Sequence, residues 1–208
     1  IVLSLHNAIH KFDYSRIDDP GFETARRLTH REYSNTVRDL FGIDIDVVDR
    51  FPTDLTATSG FDNSANSLFI QPLLLERYLG IAEHVVTTAL PDTPRTAEEH
   101  AAHERIFGGI SGRDSVAARN LLERFLTRAY RRPPRPLELD RFTQQIETAI
   151  RNGADFETAV KATLQAVLIT PSFLLLTESE PEQDNANSDQ PYAITDWELA
   201  SRLSYFLW

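Results

Sequence analysis

Five Asp side chains and one Asn side chain lie between residues 44 and 63, and oxygen groups of this type could bind a hard cation. Ca²⁺ takes several oxygen ligands that converge from a loop, but the spacing here matches no EF-hand. Asp alternates with Ile and Val at the start of the region, which favours a solvent-facing row whose carboxylates cap turns and pair with arginines. Asp54, Asp62 and Asn63 are retained as candidate pocket residues. The full set is Asp44, Asp46, Asp49, Asp54, Asp62 and Asn63.

Histidines occur twice at helical spacing. His6 and His10 are four residues apart, as in zinc proteases, but Asn7 stands where such a site has its glutamate base. His100 and His103 are three apart and lie beside glutamates, and neither pair has a defined third ligand. We interpret both pairs as solvated helical positions. The sequence therefore predicts no catalytic residue, no cofactor-binding residue and no metal ligand in this segment.

A short basic run contains Arg131, Arg132 and Arg135. The run falls where a predicted helix ends, and positive charge at that end complements the helix dipole. Contact with an anion or a carboxylate is the alternative interpretation.

Composition excludes several classes of site and partner. The chain has 208 residues, a net charge of −10 and no Cys. Without Cys the segment cannot hold a disulfide, a thiolate metal site or a c-type haem attachment. The negative charge argues against a nucleic-acid partner, because phosphate contacts require basic residues. The longest apolar run, residues 166–176, is too short to span a membrane and is interrupted by Pro171.

Helices must position these residues, and their ends are marked in the sequence. Thr29 and Glu32 have the spacing of a capping box, and Gly42 stands where a helix ends in a left-handed residue, which predicts a helix over 30–41. Pro72 suits the first turn of a second helix, to about residue 90. Apolar periodicity predicts further helices over 115–130, 137–151, 155–169 and 195–208.

The expected fold is mainly α, with two small helical units joined by a linker and a long irregular loop in the first unit. Within that loop, residues 43–47 could form a short strand or an extended edge. We expect the true termini to lie beyond this segment. The predicted organisation is an N-terminal module at 1–90, a linker at 91–113, a helical module at 114–177, an acidic loop at 178–191 and the truncated start of a third module at 192–208.

Particular stretches of the chain resemble a known group of proteins. Residues 27–42, together with Phe51-Pro52 and the Gly-Phe-Asp-Asn sequence at 60–63, look like the first conserved module of planctomycete cytochrome-associated proteins of unknown function. Residues 125–133 and 164–174 resemble a second module, and residues 196–208 resemble the opening of a third. The resemblances occur in the expected order along the chain.

This resemblance implies a large exported parent protein, periplasmic or on the cell surface. It places any haem in a cytochrome domain elsewhere in the parent and none in this segment, and it makes neighbouring domains of the same parent chain the expected partners. It carries over no catalytic residue, so enzymatic activity is left open and its absence from this segment is favoured. The leading hypothesis is a non-catalytic helical scaffold. The alternatives are part of an electron-transfer oxidoreductase and a carbohydrate-facing binding module.

Overall fold

A computed structural model of the chain describes residues 25–45, 47–51, 72–177 and 193–207, and these residues are mainly α-helical, as predicted. A 3-10 turn covers Val48–Arg50, and two short strands, β1 (Arg26–Arg27) and β2 (Leu175–Leu176), pair with each other. The helices are α1 (His30–Phe41), α2 (Pro72–Ala89), α3 (Ala97–Phe107), α4 (Ser115–Ala129), α5 (Pro136–Arg151), α6 (Phe156–Val167), α7 (Pro171–Leu174) and α8 (Asp196–Leu207).

Local chemistry sets both ends of α1. The hydroxyl of Thr29 accepts the backbone N–H of Glu32 at 3.2 Å, and the Glu32 carboxylate accepts the N–H of Thr29 at 2.8 Å. This capping box satisfies N–H groups that have no partner inside the helix. Gly42 ends the helix with a φ of +76°, and its N–H donates to the carbonyl of Arg38. The helix predicted over 30–41 is therefore confirmed.

The other predicted helices, which are α2, α4, α5, α6 and α8, begin and end within a few residues of the predicted positions. The Asp114 carboxylate accepts the N–H of Ala117 at 2.9 Å and starts α4, and Asp155 accepts the N–H of Thr158 at 3.0 Å and starts α6. Pro136 occupies the first turn of α5, where its missing N–H costs no helical hydrogen bond. Each of these contacts lies within one turn of the helix end that it sets.

Buried side chains between Leu28 and Leu174 form a continuous core. The α4, α5 and α6 helices pack against one another, α2 packs on α6 and α3, and α1 packs on α3 and α4. The β1 and β2 strands are antiparallel, with Arg26 opposite Leu176 and Arg27 opposite Leu175. This pairing joins the residues that precede α1 to those that follow α7, so two distant parts of the chain close the same core.

Residues 43–45 and 47 form no strand, which was one of the two alternatives predicted for this stretch. Ile45 and Val47 are buried, whereas Asp44, which precedes Ile45, is exposed. The alternation of apolar and acidic residues therefore reflects burial on one side of an irregular segment. No neighbouring strand is present in the described residues to turn that segment into a sheet.

The segment predicted as a linker, residues 91–113, contains helix α3. Thr96 and Glu99 form a capping box at its start, and Ala102 and Ile106 are buried in the core. Two buried positions in a helix of this length leave too little apolar periodicity to recognise. The boundaries of the two predicted units stay a prediction, and the acidic loop at 178–191 lies outside the described residues.

None of the described helices combines the length and the apolar character that crossing a bilayer requires.

Besides capping α1, the Glu32 carboxylate forms an ion pair with Arg26, and both side chains are largely buried at the edge of the core. Arg26 Nη1 and Nη2 each lie 2.8 Å from a carboxylate oxygen of Glu32, and the side chains are only 17% and 13% exposed. Burial alone would raise the pKa of Glu32, but the Arg26 hydrogen bonds, the Thr29 N–H and the Arg26 charge together bring that pKa below its ordinary value. The folded state therefore favours the ionised carboxylate.

We expect Glu32→Gln to lower the free energy of unfolding near neutral pH by about 1–2 kcal/mol, the loss of a charge-assisted hydrogen bond. A depressed folded-state pKa supplies stability above the unfolded pKa and loses it as pH falls through the folded value. The difference in the free energy of unfolding between wild type and Glu32→Gln, measured by urea titration, should therefore shrink as the pH falls from about 5 to about 3. Glu76→Gln, at an exposed position on α2, is the control. If that difference in unfolding free energy stayed constant across this pH range, the ionised Glu32 carboxylate would not be the group that stabilises the fold.

Candidate functional site

The structure tests the predicted acidic region only in part. Asp54, Asp62 and Asn63, the candidate pocket residues, lie outside the described residues, so their role stays a prediction. Asp44 and Asp49 are described, and both are exposed to solvent. Arg26 binds Glu32 in the helix cap, and the pairing of the acidic region with nearby arginines stays a prediction.

The histidine positions also divide between described and undescribed residues. His6 and His10 lie outside the described part of the chain. On α3, His103 Nε2 is 3.4 Å from a Glu157 carboxylate oxygen, and the imidazole ring lies 4.7 Å from the ring of Phe107. Within the described residues, no group of three or more potential His, Cys, Asp or Glu ligands converges.

The basic run serves internal contacts. Arg131 has a φ of 59°, and its guanidinium donates to the carbonyls of Ser172, Phe173 and Leu175 at 3.2, 3.1 and 2.9 Å. Arg132 forms two hydrogen bonds with Glu138, at 2.9 and 2.8 Å, which is the carboxylate contact that the sequence left as an alternative. The hydrogen bonds with Glu138 raise the pKa of Arg132 above its ordinary value.

Three other arginines converge at the C-terminal end of α1. They come from α1, α3 and α4 and surround a cavity of about 370 Å³ that opens to solvent, which we call the arginine pocket. Arg105 Nη1 donates to the carbonyl of Asp39 at 3.1 Å, and Arg128 Nη2 donates to the same carbonyl. The pocket is lined by Arg38, Asp39, Gly42, Arg105 and Arg128.

Gly42 lets the Arg105 side chain reach this position. A Cβ at Gly42 would lie 2.8 Å from Nε of Arg105 and 3.0 Å from its central guanidinium carbon, too close for a carbon atom. The left-handed φ of Gly42 independently favours glycine. One residue thus ends α1 and leaves room for the guanidinium that covers the helix end.

The arginine pocket carries three positive charges against one negative charge. The Asp39 carboxylate is 3.8 Å from Nε of Arg38, and both side chains are about half exposed, so this ion pair is weak. Burial and the nearby charge of Arg105 lower the pKa of Arg128, while Asp39 opposes that shift. The two guanidiniums on Asp39 O therefore repel each other, and an arriving anion would relieve that repulsion.

Sequence reasoning missed this cluster. Gly42 was recognised as a helix end, but nothing local indicated that Arg105 and Arg128 would meet there. They lie 66 and 89 positions from Asp39, whose carbonyl they share. A basic residue in the last turn of a helix is an ordinary feature, so neither arginine stands out in the sequence.

Helix α8 has an exposed apolar face, and this face is a second feature with functional potential. Tyr205 attaches the helix to the rest of the molecule: its hydroxyl lies 3.0 Å from the hydroxyl of Thr36 and accepts from Arg131 Nη1 at 3.2 Å. No residue of α8 is buried. The α8 face consists of the exposed large apolar residues Trp197, Leu199, Leu203, Phe206 and Leu207.

Comparison with known families identifies two regions of the chain. Residues 26–91 match the model of the PSD3 family, a protein of unknown function (DUF1587), and residues 117–178 match that of PSD5, a protein of unknown function (DUF1595). These regions include the stretches on which the resemblance to the first two modules depends. Neither the curated proteins nor the solved structures contain a match. The chain therefore carries two conserved helical regions, similar to DUF1587 and DUF1595, whose function is unknown.

Proposed function

We infer that this chain is a non-catalytic helical scaffold, an interaction segment of a larger exported protein associated with a c-type cytochrome. Its partners would be the neighbouring domains of the same parent chain, and the haem would reside in one of them. The resemblance of residues 27–42, 125–133 and 196–208 to modules of such proteins supports this context. The two matched regions of unknown function are compatible with it.

The α8 face is the observation that carries the proposal. Phe206 is 85% exposed and Leu207 is 71% exposed, and the three other members of the face are about half exposed. A patch of large apolar side chains gathered on one helix marks an interaction surface more often than scattered exposed residues do. Amphipathic helices bind partners through such faces, with anchors three and four residues apart.

The position of α8 suits a scaffold. Tyr205 fixes the helix to Thr36 on α1 and to Arg131 after α4, so its orientation is tied to both matched regions. A domain docked on the α8 face would therefore keep a set orientation relative to the core. A scaffold needs this property, whereas an apolar helix on a free tether would not supply it.

The test is photo-crosslinking in the full-length parent protein. A photoreactive phenylalanine placed at Phe206 should crosslink to other domains of the parent, as identified by mass spectrometry. The same amino acid placed at Leu137, which is 79% exposed on α5, is the matched control and should give no such product. Equal yields from the two positions, or no interdomain product from Phe206, would refute the scaffold role of the α8 face.

Haem staining of the full-length parent protein tests the proposed association with a c-type cytochrome separately. We expect covalently bound haem in the full-length protein and none in this cysteine-free segment expressed alone. A parent without haem would contradict the cytochrome association while leaving the scaffold proposal to the crosslinking result.

A further inference from the structure

The geometry of the arginine pocket points to a ligand that the scaffold role does not require. We propose that the arginine pocket binds a tetrahedral dianion, a phosphate or sulfate group, and thereby clamps α1 to α3 and α4. Its lining residues come from α1 and its end (Arg38, Asp39, Gly42), from α3 (Arg105) and from α4 (Arg128).

Helix capping accounts for part of this arrangement. Basic side chains near a helix C-terminus often donate to its last carbonyls, and Arg105 and Arg128 both donate to Asp39 O. One guanidinium would serve that purpose. Two guanidiniums on one carbonyl, with Arg38 beside them, place more positive charge at this point than capping needs.

The remaining donors make the pocket suitable for an oxyanion. A guanidinium has five N–H donors in a planar fork that matches phosphate and carboxylate oxygens. Among the described residues, Arg105 and Arg128 each form a single hydrogen bond, to Asp39 O, and Arg38 has only the long contact with the Asp39 carboxylate. Several N–H groups of these three lining guanidiniums therefore stay available to a bound anion.

Charge and size favour a small dianion. Three guanidiniums and one carboxylate leave two positive charges to balance, which a dianion does and a monocarboxylate does not. The cavity of about 370 Å³ exceeds the volume of a phosphate group and opens to solvent, so an esterified group could enter as well as the free ion. The chain as a whole has a net charge of −10, which disfavours diffuse adsorption of anions and makes saturable binding diagnostic of a local site.

The test measures binding of inorganic phosphate to the full 208-residue chain at about pH 8, where phosphate is mainly dianionic, by calorimetry and by melting temperature. Sodium chloride at equal ionic strength is the solvent control. We expect saturable binding of phosphate and of sulfate, and a rise in melting temperature beyond that in chloride. A methyl phosphate titration then separates the two sources, because comparable binding identifies an esterified group and loss of binding identifies the free ion.

Arg38→Gln is the decisive variant. Arg38 is half exposed and does not donate to the carbonyl of Asp39. If the three arginines only cap the helix, Arg38→Gln should bind phosphate no differently from wild type. The proposed site predicts that affinity for phosphate falls about tenfold, the loss of one charge-assisted contact. Arg105→Gln should reduce affinity similarly, and circular dichroism of that variant shows whether the end of α1 is retained.

Arg124→Gln is the matched control. Arg124 is also an exposed arginine on α4 that donates to a backbone carbonyl, that of Gly108 at 3.1 Å, but it does not line the pocket. The phosphate affinity of Arg124→Gln should stay within about twofold of wild type, because this variant removes the same charge as Arg38→Gln but from a position outside the pocket. Equal losses in Arg124→Gln and Arg38→Gln, wild-type affinity in Arg38→Gln, or no phosphate effect beyond chloride would each overturn the proposal.

Discussion

Tyr33→Ala should lower the free energy of unfolding by about 3–5 kcal/mol, the range for truncating a large buried aromatic residue. Tyr33 is fully buried on α1, and its ring centroid lies 5.4 Å from Phe51, 5.3 Å from Tyr78 and 5.5 Å from Phe173. These partners come from the end of the 3-10 turn, α2 and α7, so a cavity here loosens contacts among several elements. Because domains of this size are only marginally stable, urea unfolding should show a variant near the limit of folding.

Tyr33→Phe separates the ring from its hydroxyl. Among the described residues the Tyr33 hydroxyl has no hydrogen-bond partner, and an unsatisfied buried hydroxyl costs about 1–3 kcal/mol. Burial, reinforced by Tyr78, raises the pKa of Tyr33, so the group stays neutral. The phenylalanine variant should therefore be as stable as wild type or slightly more stable. Loss of more than about 1 kcal/mol in Tyr33→Phe would show that the hydroxyl makes a stabilising contact.

Arg131→Ala should destabilise the fold by about 2–4 kcal/mol, because hydrogen bonds from a charged donor to three carbonyls are lost. These carbonyls belong to Ser172, Phe173 and Leu175, where the chain leaves α7 and enters β2. The Arg131 guanidinium also lies 5.7 Å from the centre of the Tyr205 ring and donates to its hydroxyl. Limited proteolysis should therefore cut near α8 faster in this variant than in wild type.

Arg131→Gly distinguishes the backbone from the side chain at this position. Both variants remove the guanidinium, but glycine accepts the φ of 59° without strain, so Arg131→Gly should be about 1 kcal/mol more stable than Arg131→Ala. Arg135→Ala, at an exposed position in the same basic run, is the control and should change stability by less than about 0.5 kcal/mol. Arg131→Ala with the stability of this control would disprove the role assigned to Arg131.

Helix ends could be predicted because the chemistry that sets them is local. Thr29 and Glu32 meet within one turn, and Gly42 ends α1 through its own backbone preference. The same signal was present at Thr96 and Glu99, but α3 buries too few apolar residues for its periodicity to be visible, so the segment was interpreted as a linker. Local caps were thus a better guide to helices than apolar periodicity in this part of the chain.

The arginine pocket could not be predicted because its parts are far apart in sequence. Arg38, Arg105 and Arg128 carry no shared motif, and each alone has the appearance of a solvent-facing residue on a helix. Packing of α1 against α3 and α4 brings them to one carbonyl. A similar limit applies to Arg131, whose position suggested a helix end while its guanidinium reaches carbonyls more than 40 residues later.

The sequence by itself determined where most helices begin and end and which of their faces are apolar, since caps and periodicity depend on residues within a few positions of one another. Only the tertiary structure decided which apolar faces are covered and which charged groups meet. Both α1 and α8 carry several large apolar side chains, yet Tyr33, Val37, Leu40 and Phe41 are buried while the α8 face is exposed. Burial depends on which elements pack across a helix, and that packing joins residues too distant for any local pattern to record.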